Sequence, residues 1–272
     1  MESALRSHKN FWQEGTLTIA KALHLDMTHA QKHYARALSS LVTAGDKWLD
    51  IGCGRQILPA WVMNHERQGA LASKASLLVG MDVDEAILKH PLLDARVIGK
   101  GEKLPFACET FDLLTANMVF EHVEEPAQVL REVCRVLKPG GRLLFHTPNY
   151  HYYLIALASL IPDSVKRHVI RFLEDREEKD IFPTLYRLNT MGRIRQVAGQ
   201  CGLEVESIRA HVSAGEFYVL GPVAWAECLW LKLMSVVGRG TFDAGLVVTL
   251  RRPGIPSRRE IPEMAAEGLP VS

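Results

Sequence analysis

Residues 48–61 read WLDIGCGRQILPAW, and the order of residue types in this stretch indicates the fold. The apolar run that begins at Lys47 predicts a buried strand, and Gly52 and Gly54 predict a tight turn where a ligand can approach the main chain. A dinucleotide-binding fingerprint needs a third glycine, but Ile57 stands in that place. A phosphate-binding P-loop is excluded too, because no GK pair followed by Ser or Thr is present. The stretch predicts a glycine-lined turn between a strand and a helix, and leaves its ligand open.

Six further apolar runs with strand-like composition follow along the chain. They span residues 76–82, 95–99, 111–119, 142–148, 203–211 and 244–252. Helical patterns alternate with the earlier runs: 57–70 with Pro59 in its first turn, a helix starting at Asp84, and the amphipathic run 124–141. Such alternation predicts a parallel sheet between layers of helices. We therefore expect an α/β fold, a doubly wound, Rossmann-like, seven-stranded and mostly parallel sheet with helices on both faces and an insertion after the fifth strand.

The chain length of 272 residues suits one large domain, which we expect to span residues 1–252. Residues 1–45 read as a helical N-terminal segment. Residues 149–188 interrupt the alternation over the carboxyl ends of the strands, where ligands bind in such sheets, and this predicts a lid-like insertion. A surface elaboration without ligand contact is the alternative. The tail 253–272 is rich in Pro and Glu, and we expect it to be disordered.

The composition limits the classes of function. Hydrophobic residues make up 47% and charged residues 23% of the chain, a globular balance with ample material for a core. The formal net charge of +1 gives no general electrostatic basis for binding nucleic acid. The five cysteines include no CxxC pair, which argues against a zinc site and a disulfide framework. The N-terminal residues lack the apolar segment of a signal peptide. We expect a cytoplasmic protein that holds no metal.

One apolar stretch, residues 217–237, has two interpretations. Its length suits a membrane span, but Glu227 and Lys232 argue against spanning, since each costs about 2.5–3.5 kcal/mol at a bilayer centre. The first interpretation is a well-buried helix. The second is a helix that lies in a membrane interface or faces a lipid-like acceptor, which would place the protein peripherally at a membrane.

A second candidate binding feature is Asp82, at the end of the second strand. A carboxylate there can accept hydrogen bonds from two ribose hydroxyls, which is how doubly wound sheets commonly hold a nucleoside. The alternative role is a cap for the next helix, for which Asp84 is also well placed. An NAD-dependent oxidoreductase is disfavoured by Ile57 and by the long gap between the glycine loop and Asp82.

The block 101–149 carries a resemblance to a known family. It reads GEKLPFACETFDLLTANMVFEHVEEPAQVLREVCRVLKPGGRLLFHTPN, with LDIGCG upstream and GMDVD between. In order and spacing these motifs resemble the class I S-adenosylmethionine-dependent methyltransferases, in particular the small-molecule, type 11-like group that includes ubiquinone-pathway enzymes. The resemblance covers about residues 45–150. It implies S-adenosylmethionine as cofactor and methyl transfer to a small-molecule or lipid-linked organic acceptor.

The resemblance also implies roles for the ends of the first two strands. The loop after the first strand would surround the methionine and ribose parts of the cofactor, and its residues are Asp50, Gly52, Cys53 and Gly54. Asp82 would accept the ribose hydroxyls, and Val83 would pack on the adenine.

Three further positions follow from the same resemblance. The loop after the third strand usually carries an acid that reads the adenine amino group, but Lys100 occupies that position here. A backbone amide of Gly101 and the side chain of Glu102 would substitute for it. Asn117 and Met118, at the end of the fourth strand, would line the pocket beside the methionine part.

Catalysis itself needs few groups, because the sulfonium methyl is already activated and transfer is an in-line displacement. A general base is required only for a weakly acidic acceptor. His122 is the strongest candidate because it follows the fourth strand at the carboxyl edge, and a packing or capping role in its loop is the alternative. Further candidates at this rim are Glu121, His146, Tyr150, His151 and Arg187.

The alternative to an enzyme is a catalytically silent protein of this fold that acts as a binding or scaffold subunit. Lys100 and the missing third glycine support that alternative, with residues 217–237 as the partner-binding segment. It predicts weak or absent cofactor binding. The enzyme hypothesis instead predicts cofactor binding that is lost in Asp82→Ala or Gly52→Val.

Overall fold

The computed structural model describes residues 14–26, 28–153, 155, 183–212, 222–238 and 241–254. The helices of this part are α1 (14–22), α2 (Ala30–Leu41), α3 (His65–Ala72), α4 (Pro126–Val136), α5 (Met191–Gln200) and α6 (Pro222–Val237). The strands are β1 (Lys47–Ile51), β2 (Leu77–Asp82), β3 (Ala95–Ile98), β4 (Phe111–Asn117), β5 (Leu137–Pro148), β6 (Glu204–His211) and β7 (Gly245–Arg251). A 3-10 helix, Glu85–Lys89, follows β2.

All seven strands form one sheet in the order β3-β2-β1-β4-β5-β7-β6. Strand β7 runs antiparallel to both of its neighbours, and the other pairings are parallel. This confirms the expected seven-stranded, mostly parallel sheet. The chain moves to one side of β1 for β2 and β3 and to the other side for β4 and β5. The carboxyl end of β1 therefore lies at the topological switch point, where open α/β sheets bind their ligands.

The two largest clusters of buried apolar side chains lie one on each face of the sheet, and a third, smaller cluster contains Tyr152, Val212 and Leu231. The first contains the apolar positions of α4 together with Ile194 and Val197 of α5. The second contains Tyr34 and Leu38 of α2, with Trp48 of β1. The amphipathic pattern of α4 is confirmed, because Val129, Leu130, Val133 and Val136 are all buried.

The helix expected over 57–70 begins only at His65. Asn64 is its N-cap and accepts a hydrogen bond at its Oδ1 from the Arg67 amide, at 3.0 Å. Turns precede it, and the buried Gln68 amide stabilises them by donating to the Leu58 carbonyl at 2.8 Å. Pro59 therefore lies in these turns and not in a first helical turn.

The helix expected over 124–141 ends at Val136, and β5 begins at the next residue. Gly140 adopts a φ of +83°, and the β4–β5 pairing shifts register between Phe111 and Leu113. Lys138 lies in this strand, and its Nζ pairs with Asp112 Oδ2 at 2.7 Å. The KPGG run is an irregular start to the strand.

The outward face of α6 is apolar. Its buried side chains are Ala224, Glu227, Cys228 and Leu231. Its exposed large side chains are Val223, Trp225, Leu229, Trp230, Leu233, Val236 and Val237, which we call the α6 apolar face. The interpretation of 217–237 as a well-buried helix is therefore wrong for this face. In the part of the chain that the structure describes, no helix is long and apolar enough to cross a membrane.

Most of the lid-like insertion expected at 149–188 lies outside the described residues, as does the tail from 255 onward. The same holds for residues 1–13 of the N-terminal segment and for 217–221 of the apolar stretch.

Candidate functional site

The turn after β1 is formed by two glycines with positive φ. Gly52 has a φ of +67° and Gly54 a φ of +52°, a region that disfavours residues with a Cβ. A Cβ on Gly52 would also lie 2.4 Å from Val119 Cγ2, whereas a Cβ on Gly54 would meet nothing within 4 Å. Gly52 is therefore required both by its backbone conformation and by its close approach to the end of β4.

A cavity of about 220 Å³ opens at this turn. It is lined by Asp50, Gly52, Cys53, Gly54, Arg55, Gln56, Ile57, Pro59 and Asn117. The four loop residues expected to bind the cofactor are thus brought together with Asn117 from β4. Arg55 and Gln56, which were not among the expected cofactor residues, line the same cavity.

Asp50 is buried at the centre of the site. Its Oδ1 accepts a hydrogen bond from Thr115 Oγ1 at 2.5 Å, and Trp48 Nε1 donates to the same threonine hydroxyl at 2.7 Å. Its Oδ2 is buried without a hydrogen-bond partner among the described residues. Burial raises the pKa of Asp50 to about 7, against the lowering effect of the Thr115 hydrogen bond, and the charge of Asp82 raises it further. The site therefore holds a carboxylate that a cationic group would stabilise.

Cys53 is a packing residue in this loop. Its thiol is buried, and a Cβ on Gly80 of β2 would lie 2.7 Å from the Cys53 sulfur. Burial, followed by the charges of Asp50 and Asp82, raises the pKa of the thiol well above its usual range. The thiol is protonated at neutral pH and is not a nucleophile.

Asp82 bridges the turn to the end of β2. Its Oδ2 accepts a hydrogen bond from the Gly54 amide at 2.8 Å, and its Oδ1 accepts one from the Asp84 amide at 2.9 Å. Asp84, not Asp82, caps the following 3-10 helix by accepting from the Ala86 amide. Each Asp82 oxygen retains a further lone pair, since an ionised carboxylate offers about four acceptor sites.

The remaining cofactor residues expected from the sequence lie around this centre but outside the cavity lining. Val83 is exposed after β2, and Met118 is exposed after β4 with a φ of +58°. Gly101 lies in the loop after β3, where a Cβ would be 3.3 Å from Val129 Cγ1. Glu102 follows it, and its carbonyl accepts from the Gln128 side chain at 3.1 Å. These positions follow the parallel strands β2, β3 and β4, so they lie along the same carboxyl edge of the sheet as the glycine turn.

A chain of polar side chains connects the cavity to α2. Asn117 Nδ2 donates to Gln31 Oε1 at 2.9 Å, and Asn117 Oδ1 lies 3.1 Å from His146 Nδ1. Because an amide oxygen only accepts, His146 carries its proton on Nδ1. Burial, with the nearby His29 and His211, lowers the pKa of His146 to about 3, so the ring is neutral. Sequence reasoning missed Gln31, which precedes the first recognisable motif by many residues.

His122 lies at the carboxyl edge, as expected, but does not line the cavity. Its Nδ1 is 3.1 Å from the Pro183 carbonyl oxygen, so the nitrogen at this contact is the protonated one. Neighbouring Glu121 is buried, and its carbonyl accepts from the Leu185 and Tyr186 amides at 2.7 and 3.1 Å. These contacts dock the segment before α5 against the end of β4.

The Glu121 side chain belongs to a buried network. Its Oε2 accepts from Thr147 Oγ1 at 3.0 Å, and Asn189 Nδ2 donates to that same hydroxyl at 2.6 Å. Burial raises the pKa of Glu121, opposed by a backbone hydrogen bond and by His122. Glu121 therefore joins β4, β5 and the segment before α5, and its side chain is not directed to solvent at the rim.

Comparisons with known proteins agree with this geometry. Residues 49–145 match the family model described as a methyltransferase domain. A ubiquinone biosynthesis O-methyltransferase of Pseudomonas entomophila is 31% identical over 177 residues, which cover 61% of this chain and 67% of that relative. The residues that match the family model include the glycine turn, Asp82 and the end of β4.

Solved structures show the same fold at low sequence identity. A putative methyltransferase of Haloferax volcanii, in complex with the Trm112 methyltransferase activator, gives a TM-score of 0.51 at 17% identity and covers 81% of this chain and 89% of its own. A SAM-dependent methyltransferase of Methanosarcina mazei gives a TM-score of 0.51 at 17% identity, and the match covers 80% of this chain and 98% of that protein. At this identity the similarity concerns the fold alone.

Proposed function

The chain belongs to the class I S-adenosylmethionine-dependent methyltransferases, and we propose that it methylates a hydroxyl of a small organic acceptor that carries a lipid-like chain. The proposal that the acceptor carries a lipid-like chain rests on the exposed side chains of the α6 apolar face. We propose a hydroxyl as the methylated group because the similar protein from Pseudomonas entomophila is named as an O-methyltransferase of ubiquinone biosynthesis. Enzyme class and cofactor follow from the family, and the acceptor is the proposal.

The residues of the glycine turn fit S-adenosylmethionine. Asp50 lines the cavity with a buried carboxylate oxygen that has no partner among the described residues, and an ammonium group of the ligand would complement it. Gly54 leaves the main chain of the turn open to close approach, because a Cβ there would meet nothing within 4 Å. Asp82 keeps acceptor capacity on both oxygens for ribose hydroxyls. We assign Val83, Gly101 and Glu102 to the adenine side, and Cys53, Asn117 and Met118 to the methionine side.

When bound, S-adenosylmethionine supplies an activated methyl group for in-line displacement, so the chain contributes mainly position and desolvation. Asn117 is fixed by Gln31 on one side and by His146 on the other, which gives the cavity a rigid polar wall. His122 is our candidate for the group that accepts the acceptor proton, because it follows β4 at the carboxyl edge, where its Nδ1 lies 3.1 Å from the Pro183 carbonyl oxygen. His146 is a weaker candidate base because its pKa is so low.

The position of α6 supports a lipid-like acceptor. Tyr153, five residues after β5 ends at the carboxyl edge, donates from its hydroxyl to Glu227 on the inner side of α6. Asn149 Nδ2 donates to the Thr241 and Asp243 carbonyls at 2.7 Å, which fixes the segment after α6 to the same edge. Helix α6 thus docks through Glu227 together with the buried Ala224, Cys228 and Leu231, and its remaining large apolar side chains stay exposed. Such a face suits a membrane interface or an acceptor chain beside the site.

Paired phenolic acceptors test the proposal. Two phenols that differ only in an attached isoprenoid chain would be compared by S-adenosylhomocysteine production, with the chain-bearing acceptor presented in vesicles. We expect at least tenfold higher kcat/KM for the chain-bearing phenol. Equal use of the two phenols would contradict the lipid-like acceptor while leaving the methyltransferase assignment intact.

Matched leucine variants connect this preference to α6. Leu229→Ser with Leu233→Ser removes apolar surface from the α6 apolar face and should reduce the preference several-fold. Leu88→Ser is the control. Leu88 lies on the 3-10 helix, and its exposed fraction of 59% equals that of Leu229. A preference unchanged in the α6 variant would exclude this helix from acceptor binding.

A further inference from the structure

A second and larger cavity lies between α2 and the β6–β7 pair, and we call it the α2–β6 cleft. Its volume is about 560 Å³, within the range of small-molecule sites. It shares no lining residue with the cavity at the glycine turn. The polar side chains at its wall include His33, Arg36, Ser207, Arg209, His211 and Thr249. None of these positions belongs to the methyl-transfer site described above.

Two arginines give the cleft its charge. Arg36 of α2 and Arg209 of β6 are exposed, and neither forms an ion pair or a side-chain hydrogen bond with any residue that the structure describes. The acidic side chain at the wall, Glu206, is already paired, because Arg142 Nε lies 2.7 Å from its Oε2. The cleft therefore presents two guanidinium groups, from two different elements, that are not ion-paired to any described residue. Exposed Asp26 interacts electrostatically with Arg36 but forms no ion pair with it.

Two stacked imidazoles close the end of the cleft at the carboxyl edge of the sheet. The His33 and His211 rings lie 3.8 Å apart at an interplanar angle of 10°. Burial lowers the pKa of both rings, to about 4 for His211, and the charge of His33 lowers it further for His211. His33 Nε2 is 3.3 Å from exposed Asp26. At neutral pH the pair is uncharged and adds polar N–H groups, so the arginines provide the positive charge.

We propose that the α2–β6 cleft binds a phosphate-bearing small molecule, with Arg36 and Arg209 as its two charged contacts. Guanidinium groups match phosphate oxygens in a planar, two-pronged geometry. A tetrahedral phosphate can meet arginines from two directions, whereas a carboxylate presents a single edge. The Ser207 and Thr249 hydroxyls on the sheet side supply neutral contacts for the rest of the ligand. The site is separate from methyl transfer and does not depend on the acceptor proposed above.

Titration calorimetry with inorganic pyrophosphate, on the full chain at constant ionic strength, tests the site. The wild type should bind pyrophosphate. The double variant Arg36→Gln and Arg209→Gln should have an affinity at least tenfold weaker. Arg193→Gln with Arg195→Gln is the matched control, because these exposed arginines lie on α5, which packs on the other face of the sheet. The control should bind pyrophosphate as the wild type does.

Affinity for S-adenosylhomocysteine should be equal in all three proteins, which separates this cleft from the glycine turn and shows that the variants are folded. No pyrophosphate binding by the wild type, or equal weakening in both double variants, would overturn the proposal. Vesicles containing phosphatidic acid distinguish the source of the phosphate. Vesicle binding that depends on Arg36 and Arg209, and that pyrophosphate does not displace, would assign the cleft to a lipid headgroup and overturn the soluble ligand.

Discussion

Asp50 combines a cost to stability with a proposed role in ligand binding. Its pKa is raised by burial to about 7 in the folded protein, from a usual value of 3.8. The folded state therefore retains a proton that the unfolded state has lost between about pH 4 and pH 7, so the free energy of unfolding falls as pH rises through this window. A buried carboxylate with an unpartnered oxygen opposes folding at neutral pH but offers a counter-charge to a cationic ligand.

Asp50→Asn should separate these two effects. The amide keeps an oxygen for the Thr115 hydrogen bond and removes the charge, so thermal melts should show a higher Tm than wild type at pH 8 and a smaller difference at pH 5. Affinity for S-adenosylmethionine at pH 8 should fall at least tenfold in calorimetry. A variant that is no more stable than wild type at pH 8 would contradict the raised pKa.

The two glycines of the turn should differ in their tolerance of alanine. Both have positive φ, which costs a residue with a Cβ about 1–2 kcal/mol. Gly52→Ala adds a collision at 2.4 Å with Val119, for which overpacking costs about 1–3 kcal/mol more, whereas Gly54→Ala meets open space. Denaturant unfolding should therefore show a larger loss for Gly52→Ala. Equal losses in the two variants would show that the Val119 contact relaxes freely.

At the scale of elements, patterns in the sequence predicted the strands better than the helix boundaries. Strands β1 to β4 begin and end within about two residues of their predicted limits, because a buried parallel strand is a short apolar run between turn residues. The start of α3 could not be predicted from periodicity, because it depends on Gln68 bonding back to the Leu58 carbonyl. The end of α4 was missed because the predicted helical run continues through KPGG to residue 141, whereas Leu137 and Arg142 pair with β4 and place the KPGG residues between them in an irregular part of a strand.

The candidate site was predictable only where its residues are adjacent in sequence. The glycine turn and Asp82 follow recognisable strands, so their positions could be read directly. Gln31 and the Thr115–Asp50 hydrogen bond depend on contacts between elements far apart in the chain. Burial of Glu227 on the inner side of α6 was equally hidden, because an isolated acid in an apolar helix is usually expected to face solvent.

Thr147 of β5 is the central residue of a network that docks the segment before α5. It donates to Glu121 and accepts from Asn189, and all three side chains are buried. Thr147→Val keeps the shape but removes both bonds, so we expect a loss of about 1–3 kcal/mol in the free energy of unfolding. Thr18→Val is the control, since Thr18 is exposed on α1. Similar stability of the two variants would mean that water replaces the lost hydroxyl.

At the scale of the whole molecule, the proposed cofactor site lies at the switch point of a sheet whose two faces carry the two largest core clusters. The Gly54–Asp82 hydrogen bond ties the turn after β1 to β2, and Asn117 ties the end of β4 to α2 through Gln31. A ligand that contacts the turn, Asp82 and Asn117 together would bind elements from both sides of the switch point. Ligand binding should consequently stabilise the fold as one unit and not only the loop that it touches.

This coupling predicts a single, ligand-dependent unfolding transition. S-adenosylhomocysteine at about 100 times its dissociation constant should raise the free energy of unfolding by about 2.7 kcal/mol, which corresponds to roughly 5–10 °C in Tm for a domain of this size. Asp82→Ala should lose most of this shift, because it removes the proposed ribose acceptor and the hydrogen bond to the Gly54 amide. Asp84→Ala, which removes only the cap of the 3-10 helix, should keep the shift at a lower starting Tm. A split transition in which only one phase responds to the ligand would show that the two clusters unfold independently.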